Sequence, residues 1–349
     1  MKKSLMTVGA LLSATLLLAA CGNRSERSEK DAENDLKVAM VTNVTGIDDK
    51  SFNQSAWEGL TAWGKDNGLK KGKGYDYFQS ASESEFATNF DTAVSNGYGL
   101  IFGIGFPLHD SLEKAASSNP DTNFVIVDDV IKDQDNVASI TFADDQAAYL
   151  AGVAAAKMTK SKTVGFVGGM EGEVVYRFEN GFKAGVKSID DSIKVKVDYA
   201  GSFADAAKGK TIAAAQYAGG ADVIYHAAGA TGAGVFSEAK DLNERQNEAD
   251  KVWVIGVDSD QSAEGKYTSK DGKSSNFVLA SSIKEVGKGL QMVTKETQDG
   301  KFPGGKVRTF GLKEDGVSLV TDNLSDDAKK AVEAAKKAIV DGKTSLKDQ

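Results

Sequence analysis

The feature that most constrains this chain is a repeated switch in hydrophobic period. Short continuous apolar runs alternate with stretches whose apolar residues recur every three to four positions. Leu36 to Val41 reads as a strand, and Asn53 to Lys65 then shows helical spacing through Ala56, Trp57, Leu60 and Trp63. Tyr75 to Gln79 reads as a strand, and Ser82 with Glu85 reads as a capping box opening a helix to Ser95. Further buried runs are Leu100 to Gly103, Phe124 to Val127, Thr163 to Val167, Val195 to Tyr199, Val223 to Tyr225, Val252 to Val257 and Phe277 to Ala280. Strands that alternate with helices call for crossover connections, and so for a parallel α/β sheet covered on both faces. The runs form one set up to Ile140 and a second after Lys162. Residues 36–349 are too many for a single small core. Two doubly wound lobes follow.

Ligands of such sheets sit beyond the carboxyl ends of the strands. Polar and glycine-rich segments occupy those places: residues 43–53, 103–107, Asp128-Asp129, 168–170, 201–203, 226–229 and 258–260. Two lobes facing each other through these loops enclose one cleft, a favoured setting for a small molecule.

Several motifs imitate other chemistries. Residues 204–211 nearly match a phosphate-binding P-loop, but Ala204 stands where glycine is needed for the backbone to wrap phosphates. The other reading is a helix start with solvated lysines. Gly229, Gly232 and Gly234 precede a helix without dinucleotide spacing. They suit either N–H donation to an oxygen-rich ligand or a tight, closely packed turn. His109 and His226 are the only histidines and Cys21 the only cysteine, so no usual Cys/His metal site and no internal disulfide can form. His226 either lines the cleft or is structural. Asp128 and Asp129 are adjacent on a strand, point to opposite faces, and are poorly placed to act on one atom. No nucleophile, base and orienting group come together. A binding protein without catalytic residues, metal or cofactor is expected.

The N-terminus supplies an address. Lys2 and Lys3 precede an apolar stretch from Leu5 to Ala20, which ends in Leu18-Ala19-Ala20-Cys21. A positive start, a short apolar core and small residues before a cut site describe a signal peptide. Leu-Ala-Ala-Cys resembles the bacterial lipobox. That implies cleavage after residue 20, lipidation of Cys21, and a location on the cell membrane facing outward. Residues 21–35 are polar and charge-dense, and cannot bury enough apolar surface to fold. As a flexible tether they reach roughly 20 Å. The net charge of -8, with no basic cluster, makes nucleic acid an unsuitable partner.

Residues 41–59, from Val41 through Asp48, Asp49, Lys50, Ser51, Phe52 and Asn53 to Gly59, carry a more specific pattern. It resembles the basic membrane protein family of ABC-transporter substrate-binding lipoproteins, and within it the purine nucleoside receptors. Residues 178–185, 229–235, 256–261 and 281–284 match as well. The resemblance implies a periplasmic-binding-protein type I fold: two Rossmann-like lobes joined by a three-strand hinge. The crossings are expected near 141–145, 280–282 and 302–305. The first lobe is then 36–143 plus 281–302, and the second 144–280 plus 303–349. A nucleoside is implied as ligand and a membrane ABC permease as partner, with the protein acting as a monomer.

The residues offer a physical reason for that ligand. A base presents two π faces, and Phe52 and Phe203, one from each lobe, are placed to sandwich it. Core packing is the alternative for either ring. Asn53 and Asp128 suit the base edge, where a carboxylate accepts N–H bonds. The resemblance places Asp258 and Lys284 at ribose hydroxyls. A helix cap and a solvated face are the respective alternatives. Gly229 completes the expected set. Asn43 stands where the family often has Asp, so the base edge is read differently here, or Asp48 takes part. The same fold also serves sugars and signal molecules. A nucleoside-cleaving enzyme with an aspartate cluster around calcium, and a surface adhesin, are the other readings.

Overall fold

The strand Val38–Thr42 (β1) is buried at every position, as expected of a parallel strand covered on both faces. The structure is a computed structural model that describes residues 36–346. The expected signal peptide, Cys21 and the tether therefore lie outside the described residues. Beside β1 lie Tyr75–Phe78 (β2), Leu100–Ile104 (β3), Asn123–Val127 (β4) and Val137–Phe142 (β5). With Val307–Phe310 (β13) they make a sheet ordered β13-β5-β4-β3-β1-β2, parallel throughout.

A second sheet repeats the plan. Thr163–Gly168 (β6), Lys194–Tyr199 (β7), Val223–Ala227 (β8), Trp253–Asp258 (β9), Val278–Lys284 (β12) and Val317–Val320 (β14) are ordered β14-β12-β9-β8-β6-β7. Only β14 runs antiparallel, against β12. A small hairpin, Lys266–Thr268 (β10) with Ser274–Asn276 (β11), lies between β9 and β12 in the chain. In each sheet the order reverses beside its first strand, β1 or β6, which is where a doubly wound sheet opens a crevice.

Nine helices cover the sheets among the described residues. They are Phe52–Asp66 (α1), Phe86–Ser95 (α2), His109–Ser118 (α3), Asp144–Met158 (α4), Glu173–Ile189 (α5), Ala206–Ala218 (α6), Gly232–Arg245 (α7), Val286–Gln298 (α8) and Asp326–Val340 (α9). The α4–α5 crossing is the most extensive helix contact among the described residues, and glycines let the two backbones approach. A Cβ on Gly152 would meet the Phe182 carbonyl at 2.2 Å, and one on Gly185 the Tyr149 carbonyl at 2.0 Å.

Sheet membership corrects two of the expected crossings. The chain leaves the first sheet after Phe142 and enters the second through α4, which packs on α5, α9 and β12. It returns after Lys284, not near 280–282, because β12 continues beside β9 with Ile283 opposite Asp258. Ser281 and Ser282 ended the apolar run in the sequence, yet both are buried and satisfied. Ser281 Oγ accepts from the Gln261 N–H, and Ser282 Oγ bonds the Tyr225 hydroxyl at 2.8 Å. The last crossing falls between Phe310 and Val317, not near 302–305. Strand β13 has mixed polarity and is half exposed at the sheet edge, which hid it from a search for apolar runs.

The capping box also differs. A single 3₁₀ turn, Glu83–Glu85, precedes α2. The Glu85 carboxylate accepts from the Ala81 N–H at 2.9 Å, and the Ser82 hydroxyl bonds Ser84.

Candidate ligand-binding site

Four contacts tie the two sheets' loops together and enclose a cavity. The Ser51 hydroxyl donates to Asp258 Oδ2, and Gln261 Nε2 donates to the Lys50 carbonyl at 3.0 Å. Lys284 Nζ pairs with Asp128 Oδ2 at 2.6 Å. Phe106 and Phe203 meet edge to face with centroids 6.0 Å apart. With the lobes drawn together in this way, the free volume left for water-sized molecules is only about 60 Å³.

The first wall is the loop after β1. Asn43 Oδ1 accepts from the Thr45 N–H at 3.0 Å, which folds the loop back on itself. Asp49 then caps α1 from outside the helix. Its carboxylate accepts from the backbone N–H groups of Ser51, Asn53 and Gln54 at 3.0–3.1 Å, satisfying donors that a helix start leaves unpaired. This spends Asp49 on structure and sets Phe52, the first helical residue, into the cavity.

Charge is concentrated on the floor. Lys284 Nζ also lies 2.9 Å from Asp144 Oδ1, outside hydrogen-bond geometry but well within ion-pair distance. Burial works against its charge, but Asp128, Asp144 and Asp258 outweigh burial and hold the ammonium protonated. The same ammonium stands 5.1 Å from the Phe52 ring centre, 5.1 Å from Phe178 and 5.5 Å from Phe142, all cation–π distances. Asp128 Oδ1 is buried with no protein partner. Burial pushes Asp258 up to about 6, despite Lys284 and the Ser51 hydroxyl.

Seven of the nine expected ligand residues line this cavity: Asn43, Phe52, Asp128, Phe203, Gly229, Asp258 and Lys284. Asn53 does not. Its side chain is fully buried beneath the loop, where Nδ2 donates to Asn43 Oδ1 at 3.0 Å, Thr45 Oγ1 at 2.7 Å and Asp49 Oδ2 at 2.8 Å. Asp48 lines an adjoining space with Lys50, Lys240 and Gln261. Asp128 faces the cavity, while Asp129 turns away to His109 at 2.7 Å.

Three lining groups escaped the sequence reading. Phe178, with Val174 and Val175, comes from the first turns of α5, where helical spacing looks like ordinary core. Phe106 sits in the 3₁₀ turn after β3, in a segment singled out for its place at a strand end without a ligand role given to the ring. Thr45 lies within the matched segment and was passed over.

The decoys resolve into structure. Asp205 caps α6 by accepting from the Lys208 N–H, and Lys210 pairs with Asp241. Gly232 and Gly234 pack tightly: a Cβ there would meet His226 at 2.3 Å and the Ala206 carbonyl at 1.9 Å. His226 is buried and donates from Nε2 to Gln261 Oε1 at 3.0 Å. Burial lowers its pKa to about 4. Among the described residues, no group of three His, Cys, Asp or Glu side chains could hold a metal ion.

Comparison with known proteins agrees with this geometry. Residues 36–349 match the family model described as "ABC transporter substrate-binding protein PnrA-like". The "ABC transporter nucleoside-binding protein BmpA" of Lactococcus lactis subsp. cremoris is 57% identical over 99% of both chains. The "CD4+ T-cell-stimulating antigen" of Listeria innocua is 47% identical over 97% of this chain and 96% of its own. Among solved structures, an ABC transporter solute-binding protein from Aeropyrum pernix superimposes with a TM-score of 0.77 at 25% identity, covering 88% of this chain and 92% of the other.

Proposed function

Because the chain belongs to the family of PnrA-like ABC-transporter substrate-binding proteins, we propose that its cavity captures a nucleoside, with purine nucleosides preferred, and hands it to a membrane permease. The fold is of the periplasmic-binding-protein type I class. The observation that carries the ligand reading is the pairing of aromatic walls with a charged floor. Phe52, Phe178 and Phe203 line one space, together with Asp128, Asp258 and Lys284.

Each part has a task suited to a nucleoside. The rings stack on the base, at roughly 1–3 kcal/mol per stacked base. The unpartnered Asp128 Oδ1 accepts from a base N–H. Asp258 accepts from ribose hydroxyls in place of the Ser51 hydroxyl, and Lys284 donates to the sugar. Asn43 contributes from the cavity wall. Asn53 acts through Asn43 by fixing its amide, and Gly229 leaves room beside Phe203.

Binding closes a hinge at the three crossings, because Asp128 and Lys284, like Ser51 and Asp258, belong to opposite lobes. The protein makes and breaks no covalent bond. It works as a monomer on the outer face of the cell membrane, anchored through lipidated Cys21 after removal of residues 1–20. No helix among the described residues is long and apolar enough to cross a membrane.

The ligand is tested by mass spectrometry of small molecules released on denaturation, followed by calorimetry with purine nucleosides. Wild type binds tightly, and Phe52→Ala with Phe203→Ala abolishes binding. Failure of every nucleoside to bind overturns the ligand assignment. For the anchor, Cys21→Ala moves the protein out of the membrane fraction. Retention there would overturn the lipid anchor.

A further inference from the structure

The charge on the cavity floor continues out of the cavity. Asp144 Oδ1 faces Lys284, and Asp144 Oδ2 accepts from Arg177 Nε at 3.2 Å and Nη2 at 2.8 Å. Asp144 has no exposed surface, whereas the Arg177 side chain is 34% exposed. Arg177 opens onto a different space, a groove at the hinge shared with Thr141, Phe142, Asp145 and Thr309. It is absent from the ligand cavity's lining. The result is an alternating row, Arg177–Asp144–Lys284–Asp128. Its last link alone crosses the cleft, joining the end of β12 to the loop after β4.

We propose that Arg177 is a positioning residue for the ligand site: by holding Asp144, it leaves the Lys284 ammonium free to engage Asp128 and ligand across the cleft.

The balance of charge supports this. Lys284 is approached by Asp128 from the β4 loop, Asp144 from α4 and Asp258 from β9. Asp145 on α4 also faces Arg177, Asp49 stands near Asp258, and the neutral Tyr225 hydroxyl of β8 lies near Asp144 and Asp258. Acids outnumber bases even with Arg177 present. Without it, Lys284 is the only cation facing this group among the described residues. Three buried carboxylates would share one ammonium, which like-charge repulsion and desolvation oppose. Burial already pushes Asp128 above the usual carboxylate range, against the pull of Lys284. Removing Arg177 therefore draws Lys284 towards Asp144, weakens the cross-cleft pair, and favours protonation of one carboxylate.

The affinity arm of the test rests on the nucleoside reading; the stability arm does not. Wild type, Arg177→Met and Arg177→Lys are titrated with inosine between about pH 6.5 and pH 8.5, and their thermal midpoints are followed over the same range. Arg177→Met should bind about tenfold more weakly at the acid end than at the alkaline end, while wild type and Arg177→Lys change by less than about threefold. Stability should move oppositely. A carboxylate with a raised folded pKa holds a proton that the unfolded chain has released, so Arg177→Met loses stability relative to wild type as pH rises. Should the methionine variant not fold, Arg177→Gln carries the same test. A flat profile, or a loss equal at every pH that lysine does not relieve, overturns the proposal. If wild type binds no nucleoside, the ligand reading fails, and the stability arm alone decides this one.

Discussion

Asp128 and Asp258 occupy corresponding places in the two lobes. Asp128 directly follows β4 and Asp258 closes β9, and each stands fourth from its lobe's outer strand β2 or β7. Both adopt left-handed backbone, with φ of 64° and 65°. Aspartate tolerates this region better than most residues, because its short polar side chain can interact with the local backbone there. The turn stops the strand and swings the carboxylate into the cavity, so one local device, used twice, supplies an acceptor from each side.

Asp258→Asn tests the second acceptor without straining the turn, since asparagine also accepts φ above zero. Loss of a charge-assisted bond to ribose should cost about 1.5–3 kcal/mol, roughly tenfold to a hundredfold in nucleoside affinity. Stability should move the other way. The folded carboxyl titrates at about 6 because it is buried, while the unfolded one titrates near 3.9. Its stabilising share is therefore present below about pH 4 and lost as pH rises through about 6, a change of up to about 3 kcal/mol. The asparagine variant should match wild type near pH 4 and exceed it near pH 8. Unfolding midpoints across that range check this, and parallel curves would refute it.

Gly169→Ala should weaken ligand binding mainly through Phe203. A Cβ on Gly169 would stand 2.3 Å from Phe203 Cδ1, so the ring must move. Gly169 is not in the left-handed region that favours glycine, and the nearest backbone atom to the added Cβ, Ala228 Cα at 3.2 Å, needs to give only slightly. We expect about tenfold weaker nucleoside binding, part of the stacking energy, with little change in unfolding temperature. Adding the alanine to Phe203→Ala should cause no further loss of affinity, because the two changes act through one ring. Additive losses in calorimetry would contradict this route.

What could be read from the sequence depended on whether a residue's role is written in its own neighbourhood. Strands such as β1, β3 and β4 are continuous apolar runs and announce themselves. Asp128, Asp258 and Phe203 follow such runs and were found for that reason. Phe178 and Arg177 were not, because they lie on a helix whose spacing reports only that one face is buried. Asn53 misled in the opposite sense. It sits in a polar loop beside Phe52, yet its amide points inward to Asn43, Thr45 and Asp49. No local pattern distinguishes a loop amide that faces a ligand from one that holds the loop. The second and third crossings failed because β12 contains two serines and β13 is an edge strand, so neither has the apolar continuity that the search relied on.

Gly185→Ala should destabilise the second lobe. Its Cβ would lie 2.0 Å from the Tyr149 carbonyl and 3.0 Å from the Val153 nitrogen, both backbone atoms that no rotamer change can clear. Helices α4 and α5 must separate, at about 1–3 kcal/mol for such overpacking. These helices also carry Asp144 and Arg177, so their ion pair should loosen as well. Chemical denaturation measures the first effect. An unchanged midpoint would show that the crossing relaxes more easily than its geometry implies.

Gln261→Glu isolates one bond that holds the lobes closed. Gln261 Oε1 accepts from His226 Nε2 and from the Val257 N–H, each at 3.0 Å, which fixes the amide so that Nε2 reaches the Lys50 carbonyl across the cleft. Glutamate keeps both acceptor contacts and removes only the donor, setting a carboxylate oxygen against a carbonyl. The closed form loses a net hydrogen bond worth about 0.5–1.5 kcal/mol. Because closure governs escape of the ligand, the loss should be felt mainly in dissociation, roughly two- to tenfold faster. Association should be almost unaffected, since the contact forms only after the ligand has entered. Stopped-flow displacement of bound nucleoside separates the two rates. Unchanged release would mean that Asp128–Lys284 and the ligand itself hold the lobes without Gln261. A fall confined to association would mean that Gln261 acts on the open form instead.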